Sequence, residues 1–333
     1  MKFTLIICTY KRSKVITNLL NSVALQTLYP DEVLIIDGSP DDLTKEVLTA
    51  QSYNNLLYYK VEPKDRGLTK QRNFGIMHAN STSEIIAFLD DDTVLNKNYF
   101  EHLIGTYKSK PEALGVGGYI NNEIHWQKVS DNFKPINNEF FYDGYKRKEG
   151  SRFVVRKKLH LDSNCPPGWS SNYSHGRSLG FLPPSGSIYE VEQLMGGVSS
   201  FKKQVFETMQ FSTYFEGYGL YEDADFTIRV AKIGKLYLNT NAQLEHFHDA
   251  AGRPNKFLYG KMVVRNGWYV WRVKNAKPEF KDWLKWHAIT GLLIFIRATN
   301  IVTSSDKKEA FTETVGRIVG WISLIFNKPK IQR

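Results

Sequence analysis

The first ninety residues alternate between short apolar runs and amphipathic segments, and this alternation restricts the chain to few folds. Four apolar runs of strand length are separated by segments whose apolar residues recur at helical spacing. The predicted strands are Phe3–Cys8, Val33–Ile36, Leu56–Val61 and Glu84–Leu89. The predicted helices are one that Ser13 caps at its N-terminus, one around Leu43–Ala50 and one at Thr69–Ala79. Strands that alternate with helices in this way predict an α/β chain with a doubly wound, mostly parallel sheet.

Acidic residues follow two of these strands where each strand ends. Asp37 closes the second strand, and Asp90-Asp91-Asp92 closes the fourth. Because such sheets bind ligands beyond the carboxyl ends of their strands, we expect Thr9, Asp37 and the triple aspartate to lie along one rim. A β-turn also explains Asp37 and the Gly-Ser-Pro that follows it.

The triple aspartate needs compensating positive charge, because three adjacent carboxylates repel one another. A divalent cation supplies that charge, and carboxylate and phosphate oxygens suit Mg²⁺ and Mn²⁺. A solvated acidic turn is one alternative. A phosphatase-type aspartate nucleophile is another, although that motif usually lies on the first strand and this one follows the fourth.

The composition is that of a globular protein, and its charge is uneven. Hydrophobic residues make up 42% of the 333 residues and charged residues 23%, which excludes disordered, collagen-like and disulfide-stapled chains. The two cysteines, Cys8 and Cys165, are expected to stay reduced. The segment from Arg253 to Arg333 contains sixteen Lys and Arg and five Asp and Glu, so its formal charge is +11. Because the whole chain has a formal charge of +10, the residues before Arg253 carry −1. This excess indicates a local acidic partner, such as a lipid surface.

The basic C-terminal segment is also aromatic and amphipathic. Its aromatic residues are interleaved with Lys and Arg, and its second half carries an apolar stripe at helical spacing. The aromatic residues are Trp268, Tyr269, Trp271, Trp283 and Trp286, and the stripe is Val315, Ile318, Val319, Ile322 and Ile325. An interfacial helix on an anionic membrane explains this pattern, and so does a helical pair packed on the catalytic domain or in a homodimer.

The location of the protein is predicted from signals that the sequence lacks. The N-terminus shows no signal-peptide pattern. No run approaches the roughly 20 apolar residues of a membrane-spanning helix. We therefore expect a cytoplasmic protein, peripheral on the inner face of the cell membrane. No nucleic-acid-binding motif accompanies the basic charge, so no nucleic-acid partner is expected.

Six blocks of the sequence together resemble one enzyme family. In chain order they are Ile6–Arg12, Ile35–Ser39, Gly67–Ile76, Phe88–Asp92, Leu194–Lys203 and Glu222–Arg229. Each block alone is unspecific, but six in the right order resemble the family 2 glycosyltransferases of the GT-A fold, whose members often build bacterial surface polysaccharides. The resemblance covers about residues 3–250.

The resemblance implies a domain organisation. It places a GT-A catalytic domain at residues 1–250, with a nucleotide-sugar half at 1–120 and an acceptor half at 121–250. A basic, aromatic, helical extension follows at 251–333. Residues Gln127 to Glu190 match no block, and their Pro, Ser and Asn content predicts a long loop region with a few short strands.

The resemblance also implies which residues hold the donor and the metal. The nucleotide-sugar residues are Thr9, Tyr10, Arg12, Asp37, Arg72, Asp90 and Asp91. Asp92 is the expected direct ligand of Mn²⁺ or Mg²⁺, with Asp90 beside it. Many relatives add a histidine, and His246 and His248 are both candidates because alternation puts them on one side of an extended segment. The alternative for each of the two histidines is an ordinary buried or surface residue that binds no metal.

The catalytic base is expected in the last block. By resemblance it is Asp223, with Glu222 as the rival and Asp225 more distant. The alternative is an acidic first turn that only complements the helix dipole. Gly196 and Gly197 are expected on the acceptor side, where glycine lets the backbone approach a ligand, or else in a tight turn.

The expected function is that of a metal-dependent, inverting glycosyltransferase. Its donor would be a nucleotide sugar, most readily a UDP-sugar, and its acceptor a glycan or a lipid-linked glycan. A nucleotidyltransferase is the first alternative, but the residues after the first strand lack the glycines of a phosphate loop. A membrane-docking scaffold with a degenerate site is the second, and the joint presence of Asp37, Asp90, Asp92 and Asp223 disfavours it.

Overall fold

The chain folds into two compact units, each made of two separate stretches of sequence. The structure is a computed structural model, and it describes residues 1–130, 132–248 and 254–332. The first unit comprises Met1–His125 and Pro184–Gly252, and the second comprises Trp126–Pro183 and Arg253–Arg333. These units differ from the predicted division at residue 250, because 126–183 groups with the C-terminal helices.

The first ninety residues alternate strand and helix as predicted, and two further strands and one helix follow before residue 125. These elements are β1 (Phe3–Thr9), α1 (Val15–Ala24), β2 (Glu32–Asp37), α2 (Leu43–Thr49), β3 (Leu56–Lys60), α3 (Leu68–His78), β4 (Ile85–Asp90), β5 (Thr93–Leu95), α4 (Tyr99–Ser109) and β6 (Ala113–Ile120). The prediction of Ser13 as an N-cap is wrong. Helix α1 follows Lys14 with no side-chain cap, and the carbonyl of Arg12 accepts hydrogen bonds from the N–H groups of Val15 and Ile16 instead.

The remaining elements complete both units. They are β7 (Gln127–Lys128), β8 (Glu139–Tyr142), β9 (Tyr145–Lys148), α5 (Ser151–Lys158), β10 (Ile188–Val191), β11 (Val198–Lys202), α6 (Glu222–Ala231), β12 (Lys235–His246), α7 (Lys256–Lys274), α8 (Phe280–Thr303) and α9 (Lys307–Phe326). The region predicted as loop with short strands thus contains a three-stranded sheet, ordered β7-β9-β8, and one helix.

The main sheet of the first unit is mixed, with a wholly parallel half. Its order is β10-β12-β6-β11-β4-β1-β2-β3, and β5 pairs with β12. Strands β3, β2, β1 and β4 are parallel neighbours, and β11 is antiparallel to both β4 and β6. The strand residues of β1 and β2 are almost entirely buried, as expected for strands that are covered on both faces. The parallel half is the predicted doubly wound part.

Aromatic residues of the C-terminal segment form the core of the second unit. Trp268, Trp271 and Trp286 are buried together with Val264 and Leu324, and the rings of Trp271 and Trp286 stack with centroids 5.3 Å apart. The indole N–H of Trp271 donates to the carbonyl of Asn172 at 2.8 Å. This bond links the middle region of the chain, residues 126–183, to the C-terminal helices. Packing within the unit therefore accounts for these tryptophans.

The apolar stripe of α9 is exposed, in contrast to the tryptophans. Ile325 is 71% exposed and Ile322 is 51% exposed. Among the described residues, α8 is the one helix long and apolar enough to cross a membrane, by length and composition alone, and 17% of its apolar window is buried. The expectation of no such segment considered only unbroken apolar runs. Helix α8 reaches the required apolarity only as an average over interspersed polar residues, so the expectation stays a prediction.

Candidate active site

The carboxyl ends of the parallel strands bring the predicted acidic residues to one edge. The register of β1 pairs Thr9 with Asp37 on β2 and Cys8 with Asp90 on β4. The three strand ends therefore lie side by side, and the predicted rim is confirmed. This follows from the parallel arrangement, in which neighbouring strands end at the same edge.

Asp91 is held by side chains from the end of β1. The Thr9 hydroxyl donates to its Oδ2 at 2.6 Å, and Arg12 Nη1 donates to its Oδ1 at 2.8 Å. Arg12 also lies 3.4 Å from Asp92 Oδ2. Burial raises the pKa of Asp91 to about 6, although Arg12 and Thr9 oppose that shift. Arg12 thus balances part of the negative charge of the triple aspartate.

Asp37 is fully buried and has partners on both carboxylate oxygens. Its Oδ1 accepts a hydrogen bond from the Ser39 N–H at 2.8 Å, and its Oδ2 accepts one from the Tyr58 hydroxyl at 2.9 Å. Next to it, Gln71 Nε2 donates to the carbonyls of Thr9 and Ile36, and so links β1 to β2. These contacts fix the loops after both strands, where the nucleotide is predicted to bind.

Asp90, Asp92 and His246 form a cluster with the composition of a metal site. One ligand atom from each residue lies within 4.8 Å of the others. His246 ends β12, and its Nε2 is 3.0 Å from Asp92 Oδ1. Burial lowers the pKa of His246, but hydrogen bonds to Asp92 and Glu123 outweigh it and raise that pKa to about 10. Two carboxylates and one imidazole fit a divalent cation.

Glu123 also contacts this cluster and was missed by the sequence analysis. Its Oε1 lies 3.3 Å from His246 Nδ1 and 2.7 Å from His248 Nε2. The two histidine rings are 4.0 Å apart between centroids, as their alternate positions suggested. No sequence signal marks Glu123, because it lies in the segment after β6, 123 positions before His246.

Arg72 lies in the buried interior of the site. It donates to Glu222 Oε1, and its Nη2 is 3.6 Å from Asp90 Oδ1. Its guanidinium also lies over the rings of Phe88 and Phe211, at 5.7 and 5.3 Å from their centroids. Burial raises the pKa of Glu222, and the guanidinium of Arg72 opposes that shift. Glu222 is therefore paired with Arg72 through one carboxylate oxygen, Oε1, whereas its buried Oε2 accepts no hydrogen bond from the residues that the structure describes.

Gly196 and Gly197 let these side chains approach the backbone. A Cβ on Gly197 would lie 2.0 Å from Asp90 Cγ, and a Cβ on Gly196 would lie 2.6 Å from Arg72 Nη1. The pair therefore accommodates the chain's own Asp90, Arg72 and Glu222. Any contact of the two glycines with an acceptor remains a prediction.

Asp223 is the second residue of helix α6, after Glu222, and its hydrogen-bond partners differ from those of Glu222. Its Oδ2 accepts a long hydrogen bond of 3.3 Å from the Gly196 N–H, and its Oδ1 accepts one from the Ala224 N–H. Burial raises the pKa of Asp223, and these two backbone hydrogen bonds oppose that shift. Asp225 instead pairs with Arg229 one turn further along α6, at 2.8 Å.

Sequence relatives of this chain are glycosyltransferases. The glycosyl transferase family 2 profile matches residues 4–161. The chain is 33% identical over 119 residues to the O-antigen chain rhamnosyltransferase RfbN of Salmonella typhimurium, covering 35% of this chain and 37% of that protein. It is 37% identical over 103 residues to the poly(ribitol-phosphate) beta-N-acetylglucosaminyltransferase TarS of Staphylococcus aureus, covering 29% and 17%. The chain thus spans less than two fifths of the length of either relative.

Solved structures share the fold at low sequence identity. TarS 1-349 of S. aureus superposes with a TM-score of 0.52 at 16% identity, covering 98% of this chain and 81% of that chain. GalNAc-T7, solved with UDP, GalNAc and Mn²⁺, superposes with a TM-score of 0.52 at 15% identity, covering 79% and 47%. The fold is that of the GT-A enzymes, and residues 4–161 of this chain match glycosyl transferase family 2.

Proposed function

We propose that this chain is a metal-dependent, inverting glycosyltransferase. It transfers a sugar from a UDP-sugar to a glycan or lipid-linked acceptor during surface-polysaccharide synthesis. The observation that supports this best is the cluster of Asp90, Asp92 and His246 at the carboxyl edge of the sheet. The match to glycosyl transferase family 2 supports the reaction class, and the relatives RfbN and TarS, an O-antigen and a poly(ribitol-phosphate) enzyme, support the acceptor class.

The metal ligands in this proposal are Asp90, Asp92 and His246. These residues would hold a divalent cation, which would supply positive charge against the leaving nucleoside diphosphate. Mn²⁺ is favoured over Mg²⁺ because imidazole nitrogen suits transition metals better. Arg12 remains paired with Asp91 and Asp92, so it limits the repulsion between these carboxylates. In this proposal it does not take the place of the cation among Asp90, Asp92 and His246.

Asp223 is the proposed base of the transfer step. The acceptor oxygen bonds to the anomeric carbon, and the bond from that carbon to the diphosphate oxygen breaks with its electron pair. The acceptor proton passes to the Asp223 carboxylate. Glu222 is the weaker candidate, because its carboxylate is engaged with Arg72. A base with a raised pKa accepts a proton more readily near neutral pH.

The donor contacts of this proposal use the strand ends around Asp37. Thr9, Tyr10 and Arg12 surround the nucleotide after β1, and Tyr10 is 41% exposed. Arg72 is buried, with its Nη2 3.6 Å from Asp90 Oδ1. In this proposal it positions the Asp90 carboxylate, and through that carboxylate the metal that faces the diphosphate. The structural neighbour GalNAc-T7 was solved with UDP bound, which supports a UDP-sugar donor.

The proposal is tested by product analysis with a panel of UDP-sugars, with and without Mn²⁺. We expect Mn²⁺-dependent release of UDP, either by hydrolysis or by transfer to a glycan acceptor. Release of pyrophosphate from a sugar phosphate and UTP would identify a nucleotidyltransferase instead. Binding of UDP-sugar with no release of UDP under any condition would favour a scaffold.

We also propose that the second unit attaches the enzyme to an anionic membrane on its cytoplasmic face. The exposed apolar residues of α8 and α9 support this, among them Phe295 at 66% exposed, Ile325 at 71% and Phe326 at 85%. The charge of +11 from Arg253 to Arg333 adds attraction for acidic headgroups. The alternative is a homodimer in which a second copy of the chain covers the same apolar face. A molar mass in solution that rises with protein concentration would reveal that dimer.

A further inference from the structure

Glu123 contacts the side of His246 that faces away from the aspartates. His246 Nε2 is 3.0 Å from Asp92, whereas Nδ1 is 3.3 Å from Glu123 Oε1. The same Glu123 oxygen lies 2.7 Å from His248 Nε2. A single imidazole therefore stands between the two aspartates on one side and a Glu–His pair on the other.

The segment that carries Glu123 is tied to the end of β12. Asn122 Nδ2 donates to the His246 carbonyl at 3.0 Å, and the His246 N–H donates to Asn122 Oδ1 at 3.1 Å. The Asn121 N–H donates to the Leu244 carbonyl at 3.0 Å. These bonds fix Glu123 opposite His246, so their contact is part of the fold.

Two arrangements could use these residues. In one, Glu123, His246 and His248 bind a second cation, since their ligand atoms also lie within 4.8 Å of one another. That cation would take His246 Nδ1 and leave the ring proton on Nε2, facing Asp92. A neutral imidazole offers one lone pair, so it would no longer serve a metal at Asp90 and Asp92.

In the other arrangement, Glu123 supports a single metal. A histidine that binds a metal through one nitrogen usually donates its other N–H to a carboxylate, which fixes the tautomer and the ring orientation. We propose that Glu123 is the positioning residue that accepts Nδ1–H from His246 and directs Nε2 to the metal held by Asp90 and Asp92. His248 steadies Glu123 and is not a metal ligand. This inference rests on the proposed metal-dependent function.

The test is a Mn²⁺ titration in the presence of UDP, followed by the EPR signal of free Mn²⁺. We expect one Mn²⁺ per chain for the unaltered protein. Glu123→Ala should weaken Mn²⁺ binding by about 10- to 100-fold. Glu123→Gln keeps an oxygen that accepts Nδ1–H and should stay within about fivefold of the unaltered protein. A loss caused by the missing negative charge alone does not predict this rescue, because Gln is as neutral as Ala.

Matched variants separate the remaining explanations. Glu245→Gln removes an exposed carboxylate next to His246 on β12, and should leave Mn²⁺ affinity unchanged. His248→Ala should weaken binding less than His246→Ala does, because it acts through Glu123. Thermal unfolding of every variant checks that the fold is intact.

Each contrary outcome has a distinct meaning. Two Mn²⁺ per chain, or equal losses for Glu123→Gln and Glu123→Ala, would make Glu123 a ligand and overturn the positioning role. Unchanged Mn²⁺ affinity in Glu123→Ala would overturn the positioning role alone. Failure of the unaltered protein to bind Mn²⁺ would overturn this inference together with the proposed metal dependence.

Discussion

Arg72 on α3 and Glu222 at the start of α6 form a buried ion pair across 150 positions of sequence. The same guanidinium lies 3.6 Å from Asp90. The Arg72 side chain therefore links α6, which carries the proposed base, to β4, which carries the proposed metal ligand Asp90. Glu222 is thereby occupied with holding Arg72. This pairing is the reason why we propose Asp223, and not Glu222, as the proton acceptor.

The buried pair should make a large and coupled contribution to stability. Glu222→Ala removes the nearest counter-charge of the buried Arg72 and leaves only Asp90, at 3.6 Å, among the described ion-pair partners, so we expect a loss of up to about 3–5 kcal/mol in the free energy of unfolding. Arg72→Ala should have a similar effect for the same reason. In a urea-unfolding double-mutant cycle, the double variant should lose clearly less free energy of unfolding than the two single variants lose in sum. Additive losses would show that the two side chains act independently.

Asp92→Asn should remove Mn²⁺-dependent nucleotide binding. The amide is a poor metal ligand, so we expect the affinity for UDP in Mn²⁺ to fall at least about 100-fold, while affinity without metal is unchanged. Calorimetric titration of UDP with and without Mn²⁺ measures both values. Asp306→Asn, at the surface of the second unit, is the matched control. Equal Mn²⁺-dependent affinity in Asp92→Asn and Asp306→Asn would contradict the assignment.

Asp223→Asn should abolish transfer while UDP binding persists. A general base contributes about 10²–10⁴-fold, so the turnover number should fall by that factor with UDP affinity near that of the unaltered protein. Single-turnover transfer assays and UDP titrations separate the two effects. A loss below about tenfold would transfer the role to another group.

The pH dependence of turnover follows from the raised pKa of Asp223. The base acts when deprotonated, so turnover should fall as pH decreases through this pKa. Because burial raises that pKa, the acidic limb should lie above the ordinary aspartate value of about 3.9. A pH–rate profile of the unaltered protein locates the limb. A limb at or below about 3.9 would mean that Asp223 is not the group being titrated.

Gly197→Ala should weaken metal binding through displacement of Asp90. The new Cβ would lie 2.0 Å from Asp90 Cγ, so the carboxylate must move. We expect a loss in Mn²⁺ affinity of about tenfold or more, read by the EPR titration. Gly105→Ala, on α4, meets no atom within 4 Å and serves as the control. Mn²⁺ affinity in Gly197→Ala as high as in Gly105→Ala would disprove the steric link.

Charges placed on the apolar face of α9 should release the protein from anionic vesicles. Ile322→Asp with Ile325→Asp removes two exposed apolar side chains, each worth about 1.5–3 kcal/mol when buried, so partitioning should fall at least about tenfold. Sedimentation with phosphatidylglycerol vesicles measures this effect. Met77→Asp, at a residue of α3 that is 69% exposed, controls for added charge. If the unaltered protein fails to sediment at low salt, the membrane proposal is wrong.

The sequence predicted the elements of the parallel half because their signals are local. Apolar runs mark β1 to β4, helical spacing marks the helices between them, and polar residues mark the carboxyl ends of the strands. Parallel pairing then requires Thr9, Asp37 and Asp90 to meet at one edge, so the rim was predictable without any knowledge of long-range contacts. The antiparallel insertion of β11 between β4 and β6 was not, because strand order depends on pairing between distant segments.

What the sequence determined by itself was the fold class, the acidic rim and the blocks that resemble the family 2 glycosyltransferases. Only the tertiary structure decided which partner each side chain has: Arg72 with Glu222, His246 with Glu123, and Trp271 with the middle region. It also decided that most of the C-terminal tryptophans are buried while the α9 stripe is exposed. The physical reason is that periodicity fixes which face of an element is apolar, whereas packing between distant elements determines what covers that face.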